Sequence, residues 1–170
     1  MNKKKIYFFY GLFFLIFSFY SVYLFRENKN FVFFLLVILT CVATDIGGYI
    51  FGKIFKGPKL IKISPNKTYA GMIGGFFLSI ISVYLFLSNT SLISENPALG
   101  FGYNYYFGIN EFILVLFISL ISQIGDLIIS YFKRLAKVKD TGKFLPGHGG
   151  ILDRIDGIVF AIPFYYFFWS

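Results

Sequence analysis

Five long apolar stretches occupy most of this 170-residue chain, with short polar connections between them. A helix that crosses a lipid bilayer needs roughly 20 predominantly apolar residues, and the stretches lie at about 6–25, 31–52, 69–88, 111–132 and 151–169. Hydrophobic residues make up 57% of the chain, which is more than a globule of this size could bury. The sequence therefore predicts an all-α, polytopic membrane protein, with one domain over residues 1–170.

The first apolar stretch has some features of a secretory signal, because three lysines at 3–5 precede it. The stretch is long and aromatic, however, and it runs into Phe25, Arg26 and Glu27 without a small-residue cleavage site. We therefore expect a helix that the protein retains.

Basic residues concentrate on alternate connections. Three lysines precede the first span, and the connections 53–68 and 133–150 carry five basic residues each, whereas 89–110 carries none. Positive charge in short loops marks the cytoplasmic side of a membrane protein. We expect the N-terminus and both basic connections to face the cytoplasm, although such residues also attract anionic lipid without any other role.

Polar side chains follow one face of the fourth span and the start of the fifth. The fourth span places four residues on one face of a helix that continues into the basic connection: Asp126, Ser130, Lys133 and Lys137. Asp153 and Asp156 are three residues apart and also share a face. If the two faces meet, three carboxylates converge at the membrane boundary and offer the oxygen ligands that Mg²⁺ prefers. The alternative, in which Asp153 caps the fifth helix and Asp156 pairs with Arg154, leaves Asp126 unexplained.

The second and third spans hold glycines at four-residue spacing, Gly48 with Gly52 and Gly71 with Gly75. Such pairs allow helices to approach closely in lipid, and packing is their simplest explanation. Asp45 lies one helical turn before Gly48, and an acid inside a membrane span is a site candidate by default.

Two connections have the composition of phosphate-binding loops. Gly-rich residues 147–150 directly precede a span, where glycines and helix N–H groups suit an anion, and a tight structural turn would use the same residues. His148 is the only histidine, which excludes a multi-histidine zinc centre. The prolines of 53–68 predict an ordered loop there. Ser64, Lys67 and Thr68 could contact phosphate, or Thr68 could simply cap the third helix.

The segment 130–156, SYFKRLAKVKDTGKFLPGHGGILDRID, resembles the signature of the phosphatidate cytidylyltransferases, also called CDP-diacylglycerol synthases. Asp45 with the glycines after it, and SPNKTYAG at 64–71, are also similar to this family, with departures at Asn66, Tyr69 and Ala70. The resemblance covers roughly residues 31–170, and typical members carry further N-terminal spans that have no counterpart here.

The resemblance implies transfer of a cytidylyl group from CTP to phosphatidate, which yields CDP-diacylglycerol and pyrophosphate. It implies Mg²⁺ as cofactor, leaves a second cation open, and implies a homodimer in the bacterial inner membrane with no nucleic-acid partner. The metal ligands would be Asp126, Asp153 and Asp156, with Ser130 and Lys133 also catalytic. The residues expected to bind substrate are Asp45, Ser64, Lys67, Thr68, Arg134, Lys139, Asp140, His148, Gly149, Gly150 and Arg154.

Two other functions are compatible with these residues. A CTP-dependent polyprenol or phytol kinase would phosphorylate an alcohol and release CDP. A small ion-coupled transporter would use the intramembrane acids to line a conduction path, but it gives no reason for the basic charge beside the glycine turn.

Overall fold

The structure, a computed structural model, describes residues 3–27, 31–61, 64–93, 107–138 and 152–168. Five helices account for most of these residues: α1 Lys3–Glu27, α2 Phe31–Phe55, α3 Tyr69–Ile93, α4 Ile109–Leu135 and α5 Leu152–Phe168. They coincide with the five predicted spans, and several extend beyond them by about a turn. The predicted all-α membrane fold is confirmed.

Three helical segments in the described part of the chain are long and apolar enough to cross a membrane: Val32–Phe55, Tyr69–Asn89 and Ile109–Leu135. The apolar segments Gly11–Phe25 and Ile155–Phe168, in α1 and α5, are shorter. Many large apolar side chains, such as Phe13, Ile73 and Phe117, point outward. Outward apolar surface of this kind suits contact with lipid chains.

One end of the bundle is filled by large side chains, and we call it the packed end. All five helices contribute to it through Phe25, Leu36, Leu87, Leu114 and Tyr165, each at most 2% exposed. The Phe25 ring lies 4.9 Å from the Tyr165 ring, centroid to centroid. Close contact of this kind fixes how the helices are arranged, because a buried ring makes many small attractive contacts at once.

The tightest helix pair is α2 with α3, whose facing surfaces carry glycine. A Cβ on Gly47 would lie 2.5 Å from the carbonyl oxygen of Gly74, so a side chain does not fit there. A Cβ on Gly48 would lie 3.7 Å from the carbonyl oxygen of Gly71, which is an ordinary contact distance. The predicted close approach of these two helices is confirmed, and its physical reason is the absence of side chains between the backbones.

Between α2 and α3 the chain forms a small antiparallel hairpin, with β1 Lys59–Ile61 and β2 Ser64–Thr68. Lys59 is the register partner of Thr68, and the Tyr69 N–H donates to the carbonyl oxygen of Pro58 at 3.1 Å. The sequence predicted an ordered loop here but not the strands. Strands of three and five residues are too short to show a periodic pattern.

The prediction that four polar residues share one face of α4 is wrong for the last of them, Lys137. The helix ends at Leu135, and Lys137 adopts a left-handed conformation with φ 57°. The N–H groups of Lys137 and Val138 donate to the carbonyls of Arg134 and Lys133, both at 3.0 Å. This paired arrangement is a Schellman cap, which turns the chain away from the helix axis. Lys137 therefore does not continue the face on which Asp126 lies.

Candidate active site

A cavity of about 320 Å³ opens at the end of the bundle opposite the packed end. It lies where α2 and α4 approach their C-termini and where α3 and α5 begin, beside the hairpin. Its polar or charged lining comes from Thr44, Asp45, Tyr49, Lys67, Thr68, Gln123, Asp126 and Asp156. Four separate elements thus deliver charged groups to one space, namely α2, β2, α4 and α5.

An ion pair joins the hairpin to α4 across this cavity. The Lys67 ammonium lies 3.1 Å from Oδ2 of Asp126, and the two side chains are 32% and 15% exposed. Thr68, the next residue, caps α3: its hydroxyl oxygen accepts the Gly71 N–H at 3.1 Å. The capping role considered for Thr68 is confirmed, and it fixes the point from which Lys67 extends.

Two further carboxyl groups surround Asp126. Asp45, on α2, and Asp156, on α5, each lie close enough to Asp126 to interact with it electrostatically. Lys67 also interacts electrostatically with Asp45, and Lys133 does so with Asp156. Three carboxylates this close repel one another strongly in a partly dry site. The arrangement therefore favours binding of additional positive charge.

The approach of α5 to α4 depends on Gly157. A Cβ at this position would overlap the hydroxyl oxygen of Ser122 and would lie 3.2 Å from Oδ1 of Asp126. Both of those oxygens are buried, and neither has a hydrogen-bond partner among the described residues. The Gly157 N–H donates to the Asp156 carboxylate at 3.1 Å. Gly157 thus lets two acids from different helices come together and leaves one oxygen of Asp126 unpaired.

Hydroxyl and amide groups tie the helices together beneath the carboxylates. The Thr44 hydroxyl contacts the Ser119 hydroxyl at 2.8 Å and donates to the carbonyl of Thr40 at 2.7 Å. Gln123 donates an amide N–H to the Met72 carbonyl at 3.5 Å, which links α4 with α3. These contacts keep α2, α3 and α4 in fixed positions around the cavity, because breaking them would leave polar groups unpaired in lipid, which is costly.

Of the predicted site residues, five line the cavity: Asp45, Lys67, Thr68, Asp126 and Asp156. Four others are described but lie outside its lining: Ser64, Ser130, Lys133 and Arg134. Asp153 and Arg154 belong to the α5 backbone, but their side chains fall outside the described part. The remaining predictions lie outside the described residues: Lys139, Asp140, His148, Gly149 and Gly150.

Sequence reasoning missed several residues that shape the site, above all Ser122, Gln123 and Gly157. Ser122 is four residues before Asp126 and Gln123 is three before it, so helical spacing from a known acid could have found both. Gly157 directly follows Asp156, but nothing in the sequence distinguishes it from any other helical glycine. Thr44 is missed as well, because nothing in the sequence distinguishes it from any other threonine in an apolar span.

The donor set fits a hard cation with oxygen ligands. No group of three or more histidine, cysteine, aspartate or glutamate side chains within the described ranges forms a complete metal site. Asp126 nevertheless has a buried oxygen without a partner in the described part of the chain, and a second carboxyl group lies beside it. Mg²⁺ is usually held by one or two carboxylates together with substrate phosphates and water. Two neighbouring carboxyl groups are therefore compatible with a Mg²⁺ site that a substrate phosphate completes.

Comparison with known proteins gives a consistent result. A family model described as "Cytidylyltransferase family" matches residues 2–170, so the similarity reaches further toward the N-terminus than the expected 31–170. A phosphatidate cytidylyltransferase of Brucella suis biovar 1 is 40% identical over 161 residues, which is 93% of this chain and 55% of that protein. Enzymes of the same name are 38% identical in Haemophilus influenzae and 45% in Staphylococcus aureus, over 79% and 71% of this chain and 44% and 42% of theirs. The chain spans about half the length of the curated relatives it matches.

Proposed function

Because this chain belongs to the cytidylyltransferase family, we propose that it transfers the cytidylyl group of CTP to phosphatidate, giving CDP-diacylglycerol and pyrophosphate. The observation that carries this proposal is the cavity at which Lys67, Asp126 and Asp156 meet. Acids from three helices and a lysine from the hairpin are brought together there beside apolar, membrane-length helices. A reaction between a water-soluble nucleotide and a lipid phosphate needs both environments at one place.

The chemistry is a displacement at phosphorus. An oxygen of the lipid phosphate attacks the α-phosphorus of CTP, a new phosphorus–oxygen bond forms, and the bond to pyrophosphate breaks. Both reactants are polyanions, so the protein must first offset their mutual repulsion. Positioning and charge stabilisation supply most of the catalysis in such phosphoryl-type transfers, without a covalent protein intermediate.

Each charged residue has a role in this scheme. Lys67 and Lys133 bind phosphate oxygens as mobile point charges, and Arg134 is placed near the end of α4 to add a bidentate contact. Asp126, Asp156 and Asp153 would hold Mg²⁺, and Asp45 completes the acidic wall of the cavity. Bound Mg²⁺ would supply neutralisation of the phosphate charge and stabilise the departing pyrophosphate. Thr68 and Gly157 keep these groups in place.

The location follows from the same geometry. The helix ends that the two basic connections join, namely the C-termini of α2 and α4 and the N-termini of α3 and α5, lie at the cavity end of the bundle. We place this end at the cytoplasmic face of a bacterial inner membrane, where CTP is available and where positive charge is retained. The acyl chains of phosphatidate would then lie along the apolar helices. A homodimer, as the family resemblance implies, is part of the proposal.

The test uses the full chain in detergent micelles with phosphatidate, Mg²⁺ and CTP labelled with ³²P at either the α or the γ position. Label from α-labelled CTP should enter the lipid phase, and label from γ-labelled CTP should leave as pyrophosphate. Asp126→Asn and Asp153→Asn should both abolish transfer. Glu111→Gln is the matched control, because it changes an acid at the far end of the same helix and keeps the oxygen that accepts the Gly108 N–H.

Each outcome has a distinct meaning. Transfer of γ-label to a polyprenol or phytol acceptor, without α-label in lipid, would replace the proposal with a kinase. Absence of any transfer by a folded chain that binds CTP would refute it for this chain.

A further inference from the structure

Lys67 and Asp126 form an ion pair at the edge of the cavity and not deep inside the bundle. The ammonium nitrogen and the carboxylate oxygen are 3.1 Å apart, while the Lys67 side chain is about one-third exposed at 32%. A pair in this setting is worth little to stability, because water screens one partner and both side chains lose freedom. Its contribution to folding therefore does not explain why a lysine is placed there.

The hairpin does not need this ion pair in order to stay in position. Thr68 caps α3 through the Gly71 N–H, and Tyr69 bonds back to Pro58 across the base of the hairpin. These contacts fix the backbone that directly follows Lys67, and the strand pairing of Ile61 with Ser64 holds the backbone before it. The side chain of Lys67 is thus free to change partner without moving the strands that carry it.

The carboxylate that Lys67 contacts has unused binding capacity. One oxygen of Asp126 bonds to Lys67, and the other is buried without a partner among the described residues. The carboxyl groups of Asp45 and Asp156 line the same cavity as Asp126. A divalent cation at Asp126 would repel an ammonium group 3.1 Å from the same carboxylate. A divalent cation bound by Asp126 therefore weakens the contact between Lys67 and Oδ2 of the same carboxylate and favours release of the ammonium group.

The type of residue also fits a change of partner. Lysine is a compact charge on a flexible four-carbon stem, whereas arginine forms rigid two-point contacts. The cavity beside Lys67, about 320 Å³, is at the lower end of the range for small-molecule sites, so a phosphate that enters it comes within reach of the ammonium group.

We propose that Lys67 is an exchangeable counter-ion: it occupies Asp126 in the ligand-free protein and moves to a substrate phosphate when the metal–nucleotide complex binds. This inference rests on the proposed function for the identity of that phosphate. Lys67 prevents unproductive binding of a bare cation to the acidic cavity, and its release couples metal binding to nucleotide binding. No bond is made or broken in this step, since only ionic contacts are exchanged.

The test measures two affinities on the full chain in detergent. Binding of Mn²⁺ alone, as a spectroscopic substitute for Mg²⁺, is measured by electron paramagnetic resonance without nucleotide, and binding of CTP is measured by equilibrium dialysis with Mg²⁺. Lys67→Met should bind Mn²⁺ roughly fivefold more tightly, because its competitor is gone. The same variant should bind CTP roughly tenfold more weakly, because a charged contact to phosphate is lost.

Two further variants complete the design. Lys59→Met removes a cation from the other strand of the hairpin and should change neither affinity. Lys67→Gln should change both affinities in the same directions as Lys67→Met, but less, and it serves if Lys67→Met does not fold. A purely structural lysine would weaken both affinities together. Opposite changes support the exchange, while an unchanged or weaker Mn²⁺ affinity, or an unchanged CTP affinity, overturns it.

Neither measurement requires cytidylyl transfer, so the two proposals fail separately. A wild-type chain that transfers no label would refute the proposed function even if the affinities change in opposite directions. A chain that transfers label but fails the affinity test would refute only the exchange.

Discussion

The two ends of the helix bundle achieve close packing in opposite ways. At the packed end, large rings and aliphatic side chains from all five helices fill the space between the backbones, as Phe25 does at 2% exposure. At the cavity end, glycines leave side chains out: Gly47 and Gly71 face the backbone of the neighbouring helix, and Gly157 faces the side chains of Ser122 and Asp126.

The packed end therefore serves as a scaffold, and the cavity end holds the candidate site. Filling space with large side chains fixes the helix arrangement but leaves no room for a ligand. The absence of a side chain at Gly157 brings α4 and α5 close enough for Asp126 and Asp156 to share one cavity, and charged groups line part of the space that remains. Changes at the packed end should therefore reduce stability without altering the site, whereas changes at the cavity end can reduce function as well as stability.

The largest effect is expected from Phe25→Ala at the packed end. Loss of a fully buried ring should lower the free energy of unfolding by about 3–5 kcal/mol, because the cavity left behind cannot collapse completely. Reversible unfolding in mixed detergent micelles measures this value. The CTP affinity of the folded fraction should stay at the wild-type level, and a reduced affinity would mean that the two ends are not independent.

Gly157→Ala should have the largest effect at the cavity end. The new methyl group would overlap the Ser122 hydroxyl and push α5 away from α4, and a misplacement of about 1 Å can reduce a rate by about a hundredfold. Adding Ser122→Ala removes the overlapped oxygen and leaves Oδ1 of Asp126, at 3.2 Å, as the nearest contact. The double variant should recover part of the label transfer, and a double variant as inactive as the single one would contradict this explanation.

A smaller effect should distinguish two neighbouring glycines of α2. Gly47→Ala places a methyl group 2.5 Å from a backbone carbonyl of α3 and should cost about 2 kcal/mol of stability. Gly48→Ala meets its nearest atom at 3.7 Å and should cost less than about 1 kcal/mol, since alanine also favours a helix. Unfolding curves measure the loss of stability in both variants. Equal losses would mean that the short distance at Gly47 does not limit how closely α2 and α3 pack.

The smallest effect is expected from Thr68→Ala. The variant loses the side-chain oxygen that accepts the Gly71 N–H, which should lower stability by about 1 kcal/mol. Thr68→Ser keeps that oxygen and serves as the control in the same thermal unfolding assay. If serine and alanine destabilise α3 equally, the hydroxyl does not act as a cap.

The five helices were largely predictable from the sequence, because an apolar run long enough to cross a membrane can adopt few other structures. The hairpin at 59–68 was not predictable, since both strands are short and β2 contains Pro65 among polar residues. The end of α4 was also misplaced: a lysine in a left-handed conformation terminates it, and lysine carries no specific signal for that role.

The sequence by itself determined five apolar spans, the separation of basic and neutral connections, and the candidacy of Asp45, Asp126 and Asp156, because each follows from composition or helical spacing. Only the tertiary structure decided that Lys67 pairs with Asp126, that Gly157 faces Ser122, and that one oxygen of Asp126 has no partner in the described chain. These contacts join residues of different elements, up to 59 positions apart. Helical spacing says which residues share a face, but the packing of the faces decides which of them meet.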